Sequence, residues 1–236
     1  MKIQIITCGL LLLGRFGYAQ ETPFQNLDFE QANPVSSHTD PTVVTAASAF
    51  PGWLVYCGSV KQTQAYQNNY ALNLATGDIF GPNYPSAGPP QTGAPGIIDG
   101  SYTAVVQGGP QGLGSAIVDT SLKQTGTIPA ADTSLIFKAW DNGHTGFSVS
   151  FAGNSLSLLN LGSGPNYTLW GADISPYAGQ TGLLAFTATA QYAPSLWELD
   201  DITFSTQAVP EPSPLILAGF GGLMFLLRRR FAANKR

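Results

Sequence analysis

Acidic residues gather in two short stretches that lie far apart along the chain. "NLDFE" supplies Asp28 and Glu30, and "WELDDITFS" supplies Glu198, Asp200 and Asp201. If the segments carrying them lie side by side, the carboxylates meet, and calcium takes roughly six to eight oxygens of this kind. The competing reading is that Asp28, Glu30 and Asp200 are solvated and that Asp201 caps a bulge through hydrogen bonds. Other constellations are sparse. The two histidines, His38 and His144, stand in polar, loop-like contexts, and no HExxH, GxSxG, Walker loop or cysteine pair occurs. His144 beside Asp141 in "DNGHTG" would need a nucleophile or metal that the sequence does not display. A carboxylate pair for glycoside cleavage stays open in principle, since acids are available and their separations are not legible. No catalytic residue is assigned, and the chain is expected not to be an enzyme.

Aromatic side chains offer a second chemistry, because a sugar ring can stack on an indole or phenol face. Trp53, Trp140, Trp170 and Trp197 each stand in a strand-like run. Trp53 and Trp197 read best as core. Tyr66, Tyr70, Tyr84 and Tyr102 fall near loops, where they could face a ligand, but no ligand-binding residue is assigned.

The elements that must position these groups read as strands. Short β-rich runs punctuated by turn residues recur from "FQNLDFE" (24–30) through "WLVYC" (53–57) and "SYTAVVQ" (101–107) to "LWELDDITFS" (196–205). "FSVSF" alternates Phe147, Val149 and Phe151 with serines, and "AGN" then turns the chain, so 146–159 is expected to be a hairpin. About eleven such runs predict one antiparallel β-sandwich over residues 21–208, a jelly roll being favoured over an immunoglobulin-like sandwich. One stretch breaks the rhythm. Residues 76–100, rich in glycine and proline, read as a long loop, either folded over one sheet or disordered.

Charge narrows the partners. Residues 21–208 hold three lysines against thirteen acids, a formal charge of −10. Phosphate-binding nucleic-acid recognition is excluded on that balance, and neutral sugars, divalent cations and other proteins remain. Cys57 is the one cysteine of this section, so it has no disulfide partner there, and a small buried hydrophobe is the favoured reading.

The two ends are of another kind. Residues 1–19 pair Lys2 with an apolar run from Ile3 to Leu13 and then the small residues Gly17 and Ala19, the pattern of a secretory signal helix. Residues 209–236 run from "VPEP" through an apolar stretch to three arginines. Its expected helix, 214–227, would be about 20 Å long, against a bilayer core of about 30 Å. It is a short membrane helix, with Arg228, Arg229 and Arg230 as the stop that keeps the terminus cytoplasmic.

This tail resembles the PEP-CTERM sorting signal, on Val209, Pro210, Glu211 and Pro212, the apolar segment and the arginine cluster, in that order. The resemblance covers about the last 28 residues. It implies export past a signal peptidase, transient insertion in the inner membrane, and processing by an exosortase-type membrane enzyme at or near the motif. Delivery to the cell surface or beyond would follow, in bacteria that make exopolysaccharide. The middle section is more loosely similar to galactose-binding-like jelly rolls and carbohydrate-binding modules, through "NLDFE", "PGW" and the closing "LDDITFS". In several such modules an early Glu and a late Asp hold a structural calcium, which implies Ca2+ at Glu30 and Asp201. The resulting expectation is an exported, non-catalytic envelope or matrix protein that binds glycan. The alternatives are a purely structural surface protein and a divergent polysaccharide-active enzyme.

Overall fold

The structure, a computed structural model, describes residues 22–69, 74–82, 84, 96–112, 115–141, 146–190 and 195–209. In chain order the strands are β1 Val43–Thr45, β2 Leu54–Cys57, β3 Val60–Lys61, β4 Gln64–Gln67 and β5 Thr76–Phe80. There follow β6 Thr103–Pro110, β7 Ile117–Val118, β8 Thr120–Thr127, β9 Ser134–Asp141 and β10 Phe147–Phe151. The last are β11 Asn154–Ser155, β12 Leu159–Ser163, β13 Thr168–Asp173, β14 Thr181–Ala188 and β15 Ser195–Ser205. One short helix, α1 Ala46–Ala49, and one 3-10 turn, Ser175–Tyr177, complete the described elements.

These strands form the two stacked sheets expected of an all-β sandwich. The larger runs β1-β4-β5-β6-β15-β9-β13-β12, with β7 added at the end of β6, and the smaller runs β11-β10-β14-β8-β2-β3. Alternation decides what faces the interior. In the smaller sheet the cross-strand row Val55, Leu122, Phe186 and Val149 is buried throughout. In the larger one the row Ile79, Ala104, Leu199 and Ala139 meets it. Aromatic rings lock the two layers: Phe186 meets Phe137 edge-on at 5.2 Å and Trp53 at 6.0 Å, and Phe147 stacks on Trp197 at 4.3 Å. Such pairs contribute about 0.5–1.5 kcal/mol beyond their burial. Trp53 and Trp197 are core residues, as expected.

Three expectations need correction. Residues 24–30 are not a strand: positive φ at Asn26 and Phe29 bends the segment into turns, and the β-bridge of this region is the single pair Pro23–Thr127 just before it. The stretch 76–100 is not loop from its start, because β5 occupies Thr76–Phe80 and is buried along its whole length. The pairing is not wholly antiparallel either, since β4 and β5 run parallel. The hairpin is present as β10 and β11, turning through Ala152 and Gly153 at positive φ, while β12 crosses to the other sheet. The signal segment 1–19 and the helix 214–227 lie outside the described residues. Among the described residues no helix is long and apolar enough to cross a membrane.

Candidate functional site

Register places a set of polar and aromatic side chains on the outer face of the larger sheet. Residues directly opposite on neighbouring strands share a face. Asp78 of β5 opposes Val105 of β6, Val105 opposes Glu198 of β15, and Glu198 opposes Trp140 of β9. Tyr66 of β4 continues this row beyond Asp78. The next row holds Phe80 opposite Thr103, and Asp200 opposite Lys138. With strands about 4.8 Å apart, the Cα atoms of Asp78 and Glu198 lie roughly 10 Å from each other, on either side of Val105.

This face is not open to solvent. Phe80, Val105 and Leu196 form a second apolar cluster, separate from the inter-sheet core, against which Tyr84, Ile97 and Trp140 pack half-buried. Tyr84 lies flat on Phe80, ring centroids 3.7 Å apart and planes within 6°. Beneath that cover, Glu198 is 0% exposed and Asp78 2%. Asp78 Oδ2 accepts a hydrogen bond from the Asn69 amide at 2.9 Å, but its Oδ1 and both carboxyl oxygens of Glu198 have no partner. Unpaired burial of this sort disfavours the charged form. It pushes the Asp78 carboxyl up to about 7. Glu198 is driven well above the usual carboxylate range, first by burial and then by the charge on Asp78.

One step along β15 the chemistry changes. Asp200 is equally buried, yet Oδ2 accepts from Thr103 Oγ1 at 2.7 Å and from the Asp99 amide at 3.2 Å, and Oδ1 from the Asp201 amide at 2.8 Å. Burial raises it to about 7 against the pull of those donors. Between Asp200 and Thr203 the pairing with β9 slips, and Asp201 takes a φ of 48°. That bulge turns two successive carboxylates to different neighbours. Asp200 stays on Thr103, and Asp201 reaches the Lys138 ammonium at 3.0 Å. Lys138 also binds Asp99, the main reason its own proton is held more tightly and the Asp99 carboxyl is lowered.

The turn-rich segment 24–30 closes this end. Ile202 donates to the carbonyl of Leu27 at 3.0 Å, which docks the segment beside the bulge. Glu30 Oε1 then accepts from the amides of Ser101 and Tyr102 at 2.8 and 2.9 Å. Gly100, at a φ of +60°, makes room for it, since a Cβ there would overlap that oxygen. Asp28, Glu30, Asp99, Gly100, Asp200 and Asp201 line an opening of about 220 Å³. The structure therefore brings Glu30 and Asp201 to one pocket, through a turn and a bulge rather than two paired strands. Its carboxylates are the hard oxygen donors calcium prefers. Two of them already share Lys138, and among the described residues no three acidic, His or Cys side chains are grouped as around a metal ion.

The sequence reading grouped Glu198 with these acids, whereas it lies beneath the Phe80–Tyr84 cover. It did not single out Asp78 or Asp99, which fall in the stretch read as loop. The available signal was "TGDIF", where Gly77 and Ile79 alternate with Thr76, Asp78 and Phe80. His38 is exposed, and its ring bonds its own turn, through Thr39 and Asp40. Cys57 is buried and donates to the Ala75 carbonyl at 3.2 Å, an inert setting that raises its thiol by burial. Of the sorting motif, Val209 is buried in the body, whereas Pro210, Glu211, Pro212 and Arg228–Arg230 lie outside the described residues, as does His144. No family model, curated protein or solved structure matches the chain.

Proposed function

We propose that this chain is an exported, non-catalytic cell-envelope or extracellular-matrix protein whose sandwich, jelly-roll-like in topology, binds glycan on the outer face of the larger sheet. The observation that carries the glycan reading is the pairing of an aromatic platform with acceptors that lack donors. Tyr84 and Trp140, half-buried, supply ring edges at the surface of this face, and beneath them Asp78 and Glu198 hold three oxygens with no hydrogen bond. A sugar presents both an apolar ring face and several O–H donors, so it complements the two at once. A glycan array probed with the full chain tests this. Binding that weakens at least tenfold in Tyr84→Ala is expected, and an array without binders overturns the reading.

Export and sorting rest on the sequence of the ends. A signal peptidase releases residues 1–19. The tail inserts transiently in the inner membrane, Arg228–Arg230 hold the terminus cytoplasmic, and an exosortase-type enzyme cuts at or near Val209–Pro212. Mass spectrometry of the mature protein is expected to end near that motif, and a mature C-terminus at Arg236 overturns it. For Ca2+, we propose that Glu30 and Asp201 bind the ion in competition with Lys138.

A divergent polysaccharide-active enzyme is the second reading, favoured by the two carboxylates of Asp78 and Glu198 on one sheet face. The two stand in one cross-strand row, on either side of Val105, and glycoside cleavage uses such a pair of carboxyl groups flanking the scissile bond. Hydrolysis of a polysaccharide by the purified chain, lost in Glu198→Gln, would establish it over the non-catalytic reading.

A further inference from the structure

The chain leaves β15 at Ser205, stays exposed through Thr206, Gln207 and Ala208, and then turns back to bury Val209. A chain end with nothing to hold it would stay in solvent. This one is held along its whole course. The Thr133 amide donates to the Ser205 carbonyl at 2.8 Å, and Thr133 Oγ1 to the Thr206 carbonyl at 3.1 Å. Ser134 Oγ, fully buried, donates to the Gln207 carbonyl at 2.7 Å.

The seat for Val209 is made by a second bulge. β12 and β13 pair Asn160 with Trp170 and Gly162 with Leu169, so Leu161 is the extra residue between them. Asn160 Oδ1 fixes the irregularity by accepting from the Gly162 amide at 2.9 Å. Leu161 and Val209 then converge on Gly171. A Cβ at that position would stand 2.7 Å from Leu161 Cδ1 and 3.2 Å from Val209 Cγ2, so a larger residue there would displace them. The glycine leaves the hollow, and the bulge supplies its apolar wall.

Val209 is also the first residue of "VPEP". An enzyme that takes a peptide as an extended strand needs its main-chain groups and alternate side chains free. Here three successive carbonyls and the Val209 side chain are already engaged by the body. Such a segment must detach before it is cut, and cleavage within it is reduced to the detached fraction.

We propose that Leu161 and Gly171 position the sorting motif: they seat Val209 on the body, so that processing falls on its C-terminal side and the mature protein keeps Val209. The proposal rests on the tail-processing reading and adds where the cut falls. At the bond that opens, the acyl group stays with the body and passes to a nucleophile, water or the amine of an acceptor. The tail departs with a new amino terminus.

The test maps the C-terminus of the full chain by mass spectrometry, after digestion with a protease of broad specificity and after production in cells carrying an exosortase-type enzyme. The resistant body is expected to end at Val209 or beyond. Leu161→Ser, at the sheet edge, and Gly171→Ala are each expected to raise cleavage between Ser205 and Val209 at least tenfold. Leu183→Ser, an exposed apolar residue of the other sheet, is expected to leave the pattern unchanged. A parent body that ends before Val209, or a Leu161→Ser chain cut like the parent, overturns the seat. A processed protein whose mature end precedes Val209 overturns the cut position while the processing reading stands. A mature end at Arg236 overturns the processing reading and the cut position with it, and the digestion alone then decides the seat.

Discussion

Two pairs of carboxylates, one on the strands of the larger sheet and one where a loop meets its bulge, meet opposite fates. Asp99 and Asp201 are at the wet end and share the Lys138 ammonium, and the Asp99 carboxyl is lowered. Asp78 and Glu198 lie under the Phe80–Tyr84 cover with no counter-charge, and both are raised. Asp200 stands between them, as buried as the second group but surrounded by donors like the first. Residue type therefore predicts little here. The identity of the facing neighbour decides whether an acid stabilises the fold or costs it. The cost is tolerable only where something is gained, and unpaired buried acids concentrate at binding sites for that reason.

The strongest way to break this contrast is to neutralise the unpaired group. An acid whose folded pKa is raised binds its proton more tightly when folded, so it costs stability as pH climbs from the unfolded value near 4 to the folded value. For Asp78, raised to about 7, the cost grows by about 4 kcal/mol over that interval. The melting temperature is expected to fall as pH rises from 4.5 to 8. The double variant Asp78→Asn, Glu198→Gln should melt higher than the parent at pH 8 and show a flatter pH profile. A parent that melts at one temperature across this range would contradict the assignment.

Removing the hydrogen-bonded acid should have the opposite effect on stability. Asp200→Ala strands the Thr103 hydroxyl and two backbone amides, and a loss of about 3 kcal/mol is expected in chemical denaturation. Thr103→Val removes one of those bonds and should cost about 1 kcal/mol. The paired group is expected to matter less again. Lys138→Met should cost about 1 kcal/mol or less, and the difference should shrink in high salt, as for other solvent-facing ion pairs. Smallest is the calcium effect. Millimolar Ca2+ is expected to raise the melting temperature by a few degrees, an effect absent in Glu30→Ala and Asp201→Ala. A curve unchanged by EDTA and by added Ca2+ would remove the metal proposal.

The sequence disclosed the sandwich because alternation is written in single residues. "FSVSF" shows its buried and wet faces without any partner strand, and β10 follows that pattern. It also brought Glu30 toward Asp201, although through the wrong intermediate. Phe29 at positive φ and the bulge at Asp201 are backbone conformations that no periodicity announces. β5 stayed hidden because Thr76–Phe80 is buried on both faces, so alternation between wet and dry is lost. Its proline-rich continuation also pointed to a loop. Asp78 was missed with it, and Glu198 was assigned to the wrong pocket. Which of three acids in "ELDD" faces which neighbour depends on a one-residue slip in register.

The position of β15 has a mechanical consequence. It lies inside the larger sheet, hydrogen-bonded to β6 on one side and β9 on the other, and the chain continues from it through Gln207 to Val209. A pull on the C-terminal end is directed along this strand, so its ladders to both neighbours resist in shear together rather than opening one bond at a time. Thr133 and Ser134 also hold the last residues, by bonds to Ser205, Thr206 and Gln207. The strand that carries Glu198, Asp200 and Asp201 is thus the one through which tension enters the domain.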